Sequence, residues 1–212
     1  MDKRKGILIV VSGFSGSGKG TIMKQLLEAY PNHYALSISA TTRSPRPGEI
    51  HGREYFFVSE AEFKSMIEEH ALIEFAKYVN NYYGTPREYV LQQLELGKDV
   101  ILEIEIQGAL KVKESYPDTL LLFVSPPSAA ELKNRLTGRG TEEEAVIASR
   151  LSRAWQEVQG VENYDYFIVN DDLEECVQEV HAIIQSEHSR IKRRSALIET
   201  IRTELKSFAK GE

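Results

Sequence analysis

The sequence predicts an α/β fold: a parallel sheet core flanked by helices and interrupted by a small β-containing insert. Three observations carry that expectation. Short β-rich runs alternate with stretches of helical period along most of the chain, the pattern of strands joined by crossover helices. The first run, Ile7-Leu-Ile-Val-Val11, is apolar throughout, as a strand covered on both faces requires. It leads through a glycine-rich turn into a stretch of helical period, which makes a strand, loop and helix unit.

The first helix is expected from Lys19 to Tyr30, because Ile22, Met23, Leu26 and Leu27 stripe one face and Pro31 ends it. Further strands are expected at Tyr34 to Ser39, Val100 to Ile106, Leu120 to Val124 and Tyr166 to Val169. Between them fall helices at about Arg87 to Leu96, Gln107 to Ser115, Ala129 to Leu136, Glu142 to Gly160 and Leu173 to His188. Two regions break the alternation. From Thr41 to Thr85 the chain reads as loop, a short strand Tyr55 to Val58, a small helix capped by Ser59 and a second strand around Leu72 to Val79. From Gly138 to Glu144 a turn rich in Gly, Thr and Glu opens into the long helix that carries Arg150 and Arg153, and this segment is expected to act as a flap. Leu197, Ile198, Ile201, Leu205 and Phe208 share one face of a terminal helix that follows the basic run Arg190-Ile-Lys-Arg-Arg194. That amphipathic helix either docks on the core or mediates self-association.

Composition excludes several classes. A chain of 212 residues buries about 70% of its unfolded surface and needs no disulfide or metal staple. Hydrophobic content of 42% with 27% charged residues is that of a folded globular protein, not a disordered one. The single cysteine, Cys176, excludes an internal disulfide framework and a Cys-rich zinc site, and it fits a reducing, cytoplasmic setting. The Ile7 to Val11 run is too short for a signal-peptide core, and no stretch approaches the ~18 apolar residues of a membrane span. Lys and Arg total 26 against 32 Asp and Glu, a net charge of −6, which argues against a general nucleic-acid partner. Anion binding must therefore come from local clusters.

Gly13-Phe-Ser15-Gly16-Ser17-Gly18-Lys19-Gly20-Thr21 follows the apolar strand and opens a helix, the context that identifies a phosphate loop. Gly13, Gly16 and Gly18 let backbone N–H groups converge, and the helix N-terminus adds partial positive charge. Lys19 supplies a full charge, and a nucleoside triphosphate is the natural ligand. The core is thus P-loop NTPase-like. Gly20 stands where Ser or Thr normally ligates Mg²⁺, and Thr21 carries the hydroxyl instead, leaving a direct, water-mediated or absent metal contact open. Downstream, Ser37 to Tyr55 holds three arginines against two acids, with prolines keeping part of it extended. Arg43 and Arg46 suit a planar clamp on a phosphate, and Tyr55 and Tyr83 can add hydroxyl donors.

These motifs, together with Gly52-Arg-Glu-Tyr55-Phe-Phe, Tyr82-Tyr83-Gly84-Thr85, Leu102-Glu103-Ile-Glu105-Ile-Gln107-Gly108 and Arg135-Leu-Thr-Gly-Arg139-Gly-Thr141, stand in the order seen in guanylate kinases. The chain resembles that family from about Gly6 to His188. The resemblance implies a single domain over 1–212 with a core of 1–38, 86–128 and 160–188, a GMP-binding insert at about 39–85, a helical lid at about 129–159 and an extra terminal helix at about 190–212. It implies transfer of the ATP γ-phosphoryl group to GMP, and to dGMP, giving ADP and GDP with Mg²⁺ as cofactor, in purine nucleotide metabolism and GMP recycling. Its other partners would include neither nucleic acid nor membrane, and the protein would be a monomer or homodimer.

Carried over position by position, the resemblance implies that Gly13, Ser15, Gly16, Ser17, Gly18, Lys19, Gly20 and Thr21 hold ATP, with Asn170 on the adenine side and Thr21 nearest the metal. Arg43, Arg46, Tyr55 and Tyr83 would hold the GMP phosphate, while Ser39, Glu74, Thr85 and Glu105 surround guanine. Lys19 and the lid arginines Arg135, Arg139 and Arg150 would offset charge on the transferred group, and Arg43 joins them as a catalytic candidate through its hold on the GMP phosphate. A carboxylate at Glu74 would meet the N1–H and N2–H₂ donors of guanine, and in AMP it would face an unprotonated N1 instead. On the residues alone Glu74 also reads as an exposed strand carboxylate, and Asn170 as part of a helix cap. Glu103 and Glu105 alternate with Leu102, Ile104 and Ile106 and are expected on one side of a strand at its carboxyl end, where α/β sheets bind ligands; a solvated strand edge is the alternative. Arg150 and Arg153 share a helical face and are expected to present it without the usual ion pair four residues away.

A non-catalytic guanylate-kinase-like interaction module is the competing class, and an enzyme with another phosphorylated acceptor is a third. The presence of Lys19, Arg43, Arg46, Arg135, Arg139 and Arg150 favours catalysis. The five histidines show no metal-ligand spacing. Cys176 shares a face with Val180 and Ile183 and is expected to be buried, and Trp155, in register with Ile147, Leu151 and Val158, is expected in the core.

Overall fold

A computed structural model describes residues 4–78, 80–138 and 144–210. The chain divides into two compact units, one ending at Asp171 and one beginning at Asp172.

The first unit opens with β1 (Leu8–Gly13), α1 (Lys19–Ala29) and β2 (Tyr34–Leu36), and then enters an insert of β3 (Ala40–Thr41), β4 (Phe56–Phe57), α2 (Glu60–Glu68), β5 (Leu72–Tyr78) and β6 (Asn81–Pro86). It returns through α3 (Arg87–Glu95), β7 (Asp99–Glu103), α4 (Ile106–Ser115), β8 (Leu120–Ser125), α5 (Ala129–Thr137) and α6 (Glu144–Val158) to β9 (Tyr166–Val169). The core sheet is parallel, in the order β2-β7-β1-β8-β9. Ile9, Val10, Leu121, Leu122 and Phe123 are wholly buried, which explains why these strands are apolar without alternation. From β1 the chain runs to β2 on one side, and from β8 to β9 on the other, so the carboxyl end of β1 lies at the switch point where open α/β sheets bind ligands.

The insert forms its own four-stranded sheet, ordered β4-β3-β6-β5. Ala40, Phe63 and Leu72 make its core, flanked by Phe56, Val58, Met66, Ile67 and Tyr82. The ring of Phe63 stacks on Tyr82 at 5.3 Å. Ser59 caps α2 as expected, and Glu62 returns the bond to the Ser59 backbone.

Several expectations change. The strand expected over Tyr34 to Ser39 ends at Leu36, and the chain crosses to the insert sheet by Ala40. Both β3 and β6 escaped the sequence reading, because the pairings that make them strands, Ala40 with Gly84 and Thr41 with Tyr83, join distant residues. The strand expected to reach Ile106 stops at Glu103, because the Ile104 carbonyl accepts a bond from the Ser12 hydroxyl and Glu105 becomes the N-cap of α4. Trp155 is 71% exposed. The buried stripe of α6 runs through Ile147, Leu151, Ala154 and Val158 onto Phe14, Phe123, Leu132 and Leu136, and Trp155 lies one residue beyond it. Val79 and residues 142–143 of the expected elements lie outside the described residues.

The second unit holds α7 (Leu173–Glu187), a short 3-10 turn (Ile191–Arg194) and α8 (Ser195–Lys210). Asp172 caps α7 through the N–H groups of Glu174 and Glu175. Cys176 is buried as expected, but its buried companions are Val177, Val180 and Ile184, not Ile183. Burial pushes the Cys176 thiol up to about 11, which keeps it protonated and inert. In α8, Leu197, Ile201, Leu205 and Phe208 are exposed.

Candidate functional site

Strand β1 delivers Gly13 to the carboxyl edge of the sheet, and the loop turns into α1 through Gly16 and Gly18, both at φ +93. At Gly18 a side chain is excluded twice over. The left-handed backbone disfavours a Cβ, and that Cβ would stand 2.3 Å from Asn170 Nδ2. Asn170, buried just after β9, donates from Nδ2 to the Ser17 carbonyl at 2.8 Å. Arg135 on α5 donates to the Asn170 carbonyl at 2.9 Å and to the Ser17 carbonyl at 3.5 Å, while Glu131 holds its Nε at 2.8 Å. Arg135 and Asn170 therefore brace the loop backbone. Lys19 folds back over the loop, donating to the Gly13 carbonyl at 2.7 Å and the Phe14 carbonyl at 3.1 Å. Burial lowers its pKa, and Glu103, Glu157 and Glu105 oppose that shift. Gly20 is not imposed by crowding, since a Cβ there would have no atom within 4 Å; Thr21 beside it is exposed.

The insert supplies the second cluster. Arg43 lies over the rings of Tyr55 at 5.3 Å and Phe57 at 5.8 Å, and Tyr55 meets Tyr83 edge-on at 6.1 Å. Burial, and then Tyr83, push the Tyr55 hydroxyl above its ordinary range, so it remains a donor at neutral pH. Arg46 is exposed. Glu74 is buried on β5, not exposed, and its Oε1 accepts from the Thr85 hydroxyl at 2.8 Å. Burial raises its carboxyl pKa, with the Thr85 bond and Lys111 offsetting part of the shift. Gly108 lets the first turn of α4 approach, because a Cβ there would stand 3.3 Å from Glu74 Oε2.

One cavity of about 510 Å³ joins these parts. Gly13, Ser15 and Lys19 line it from the loop, and Ser39, Tyr55 and Thr85 from the insert. Glu103 at the end of β7 and Glu105 just beyond it line the cavity, as do Arg150, Arg153 and Glu157 from α6. Glu103 remains exposed at the cavity wall, and partial desolvation there raises its carboxyl pKa, opposed by Lys19. Glu105 is not beside Glu103 on a strand; it bonds Arg153 from the N-cap of α4. Arg153 is not without a helical partner, because its Nε reaches Glu157 Oε1, four residues on, at 3.2 Å. That spacing was open to the sequence reading, which missed Glu157. The reading also gave no role to Glu49, whose carboxylate engages Arg43 at 2.8 Å and was signalled only by its place in the Arg46-Pro-Gly-Glu49 turn. Arg139 lies outside the described residues.

A glycine loop at the switch point of a parallel sheet, facing an insert across a shared cavity, defines a phosphate-loop nucleotide-binding α/β protein. Residues 5–187 match the family model for guanylate kinase. A guanylate kinase of Caldanaerobacter subterraneus subsp. tengcongensis is 52% identical over 202 residues, covering 95% of this chain and 98% of its own. That of Clostridioides difficile is 48% identical over 203 residues, with the same coverage. The crystal structure of guanylate kinase from Anaplasma phagocytophilum superposes with a TM-score of 0.72 at 34% identity, covering 91% of this chain and 92% of that one. The chain belongs to the guanylate kinase family. It is a kinase, and the relatives support the catalytic reading over the interaction module.

Proposed function

We propose that this protein transfers the γ-phosphoryl group of ATP to GMP, and to dGMP, with Mg²⁺ bound to ATP. The observation that carries the reading is the single cavity lined both by Lys19 of the phosphate loop and by Thr85, whose hydroxyl bonds the buried Glu74. On this reading the loop amides and Lys19 take the ATP phosphates, with Lys19 exchanging the Gly13 and Phe14 carbonyls for phosphate oxygens. Arg43, Arg46, Tyr55 and Tyr83 take the GMP phosphate. Glu74, Ser39 and Thr85 read guanine, and Glu105 joins them once Arg153 releases it.

The acceptor oxygen of GMP is ionised at neutral pH, so no general base is needed. Its attack on the γ-phosphorus forms one P–O bond as the bond to ADP breaks, and catalysis rests on alignment and charge neutralisation. Arg150 faces the cavity from α6 and offsets charge there, while Arg135 acts through the loop it braces. Arg139 would add to this charge from the lid. Mg²⁺ brought in with ATP would supply further charge neutralisation at the phosphates. Thr21, exposed on the first turn of α1, is the chain's own candidate ligand for an ion carried in by ATP, directly or through water. Asn170, committed to the loop, reaches adenine at most through its neighbours.

No described helix is long and apolar enough to cross a membrane. We place the activity in the cytoplasm, in purine nucleotide metabolism and GMP recycling, with the protein acting as a monomer or homodimer on free nucleotides rather than on nucleic acid or membrane. The test is ADP release from ATP with GMP, dGMP, AMP, UMP and CMP offered separately. Turnover with GMP and dGMP is expected, and equal rates with AMP, or none with GMP, would overturn the assignment.

A further inference from the structure

We propose that Glu49 is a positioning residue of the acceptor site, one that holds the Arg43 guanidinium ready for the phosphate of the incoming nucleotide. The inference rests on the reading above that the insert binds GMP. Glu49 uses its two oxygens on two different parts of the clamp. Its Oε1 accepts from Arg43 Nη2 at 2.8 Å, and its Oε2 accepts from the Arg46 backbone N–H at 2.7 Å. The Glu49 N–H donates back to the Arg46 carbonyl at 3.0 Å, closing a turn through Gly48, whose φ of +88 a side chain would strain. One carboxylate thus ties the residue that carries Arg46 to the guanidinium of Arg43.

The pair is not an ordinary surface ion pair. The Arg43 and Glu49 side chains are only 16% and 18% exposed, so solvent screens them less than a free pair. The guanidinium is bounded by Tyr55 and Phe57, and its Nη1 donates to the Ser44 carbonyl at 2.8 Å. Of the five N–H donors of an arginine, Ser44 and Glu49 take two, which fixes the plane and leaves three for a phosphate. Arg43 and the Arg46 N–H hold the Glu49 carboxyl below its ordinary range, so the arrangement persists through neutral pH. Without Glu49, Arg43 must be ordered as GMP binds, and that entropy cost falls on GMP affinity, not on the transfer step.

The experiment is steady-state kinetics with GMP and with ATP varied in turn, together with guanosine binding by calorimetry. Glu49→Ala is expected to raise the KM for GMP on the order of tenfold, with kcat and the KM for ATP within about twofold of wild type. Guanosine, which lacks the phosphate, should bind as before. Glu49→Gln retains an oxygen acceptor for Arg43 and should recover part of the loss, whereas Glu49→Asp, one methylene shorter, should resemble Glu49→Ala. In an Arg43→Ala background, Glu49→Ala should add almost nothing. An unchanged KM for GMP, full additivity with Arg43→Ala, or a matching loss of guanosine binding overturns the proposal. Absence of GMP turnover in the wild type refutes the functional reading and this inference together, whereas normal wild-type turnover with an inert Glu49→Ala refutes this inference alone.

Discussion

The phosphate loop and the insert face each other across one cavity, yet they are built on opposite plans. The loop presents main-chain atoms from Gly13 to Gly18 together with Lys19, all contiguous in sequence and anchored to a buried strand. The insert presents side chains drawn from Ser39 to Thr85, and they meet only because β3 pairs with both β4 and β6. Geometry encoded in backbone is local and demands glycine where the chain turns left-handed, at Gly16 and Gly18. Geometry encoded in side chains can be tuned residue by residue, which suits the insert to the choice of base and acceptor proposed for it.

The largest expected effect tests the loop. Lys19→Ala should lower kcat by about 10³-fold or more, since a full charge at the transferred group is lost, while GMP affinity changes little. Near-normal turnover would break the contrast at its strongest point. Glu74→Gln tests the insert. It should reduce kcat/KM for GMP by about 10²-fold and narrow the preference over AMP, with ATP affinity preserved; an unaltered GMP to AMP ratio in a substrate competition assay would remove Glu74 from base choice.

The same residue makes a prediction about pH. If Glu74 meets the guanine donors it must be charged, so GMP binding should weaken as pH falls through its folded pKa, which burial raises above the ordinary carboxylate range. Stability runs the other way. A carboxyl raised by burial contributes fully below its unfolded value, and that contribution is lost as pH rises through the folded value. Glu74→Gln should therefore be at least as stable as wild type at pH 7, which denaturant unfolding of both proteins at pH 4 and pH 7 would check.

Gly18→Ala has a smaller effect on a different quantity. The left-handed backbone and the close Asn170 amide should together cost about 2 kcal/mol of stability, with ATP affinity falling more than GMP affinity in calorimetry. At the small end, Trp155→Ala should change stability by less than about 0.5 kcal/mol, because the ring is 71% exposed. A larger drop in urea unfolding would restore the core role expected from its register.

Legibility followed the same division. Strand β1, the loop and α1 were readable because apolar strand, glycine turn and amphipathic helix each leave a local signature, and the helices α3 to α5 and α7 fell within a residue or two of their expected bounds. In the insert the chemical identities were readable and the architecture was not. Arg43, Tyr55 and Tyr83 do converge, but the sheet that brings them together has two strands that no local pattern announced. Glu105 illustrates the failure most sharply. Its alternation with Leu102, Ile104 and Ile106 is that of a strand, yet a hydroxyl on β1 claims the Ile104 carbonyl and turns the chain into α4. Glu49 and Glu157 were missed for a related reason: nothing in a single carboxylate tells which arginine it will meet.

By itself, then, the sequence determined the fold class, the phosphate loop and the order of the motifs, because those follow from burial pattern, glycine placement and helix periodicity acting over a few residues. Only the tertiary structure decided that Glu74 is buried against Thr85, that Asn170 and Arg135 brace the loop, and that Trp155 faces solvent. Those outcomes depend on which distant groups compete for the same hydrogen bond or the same space, and that competition is settled only when the chain has closed on itself.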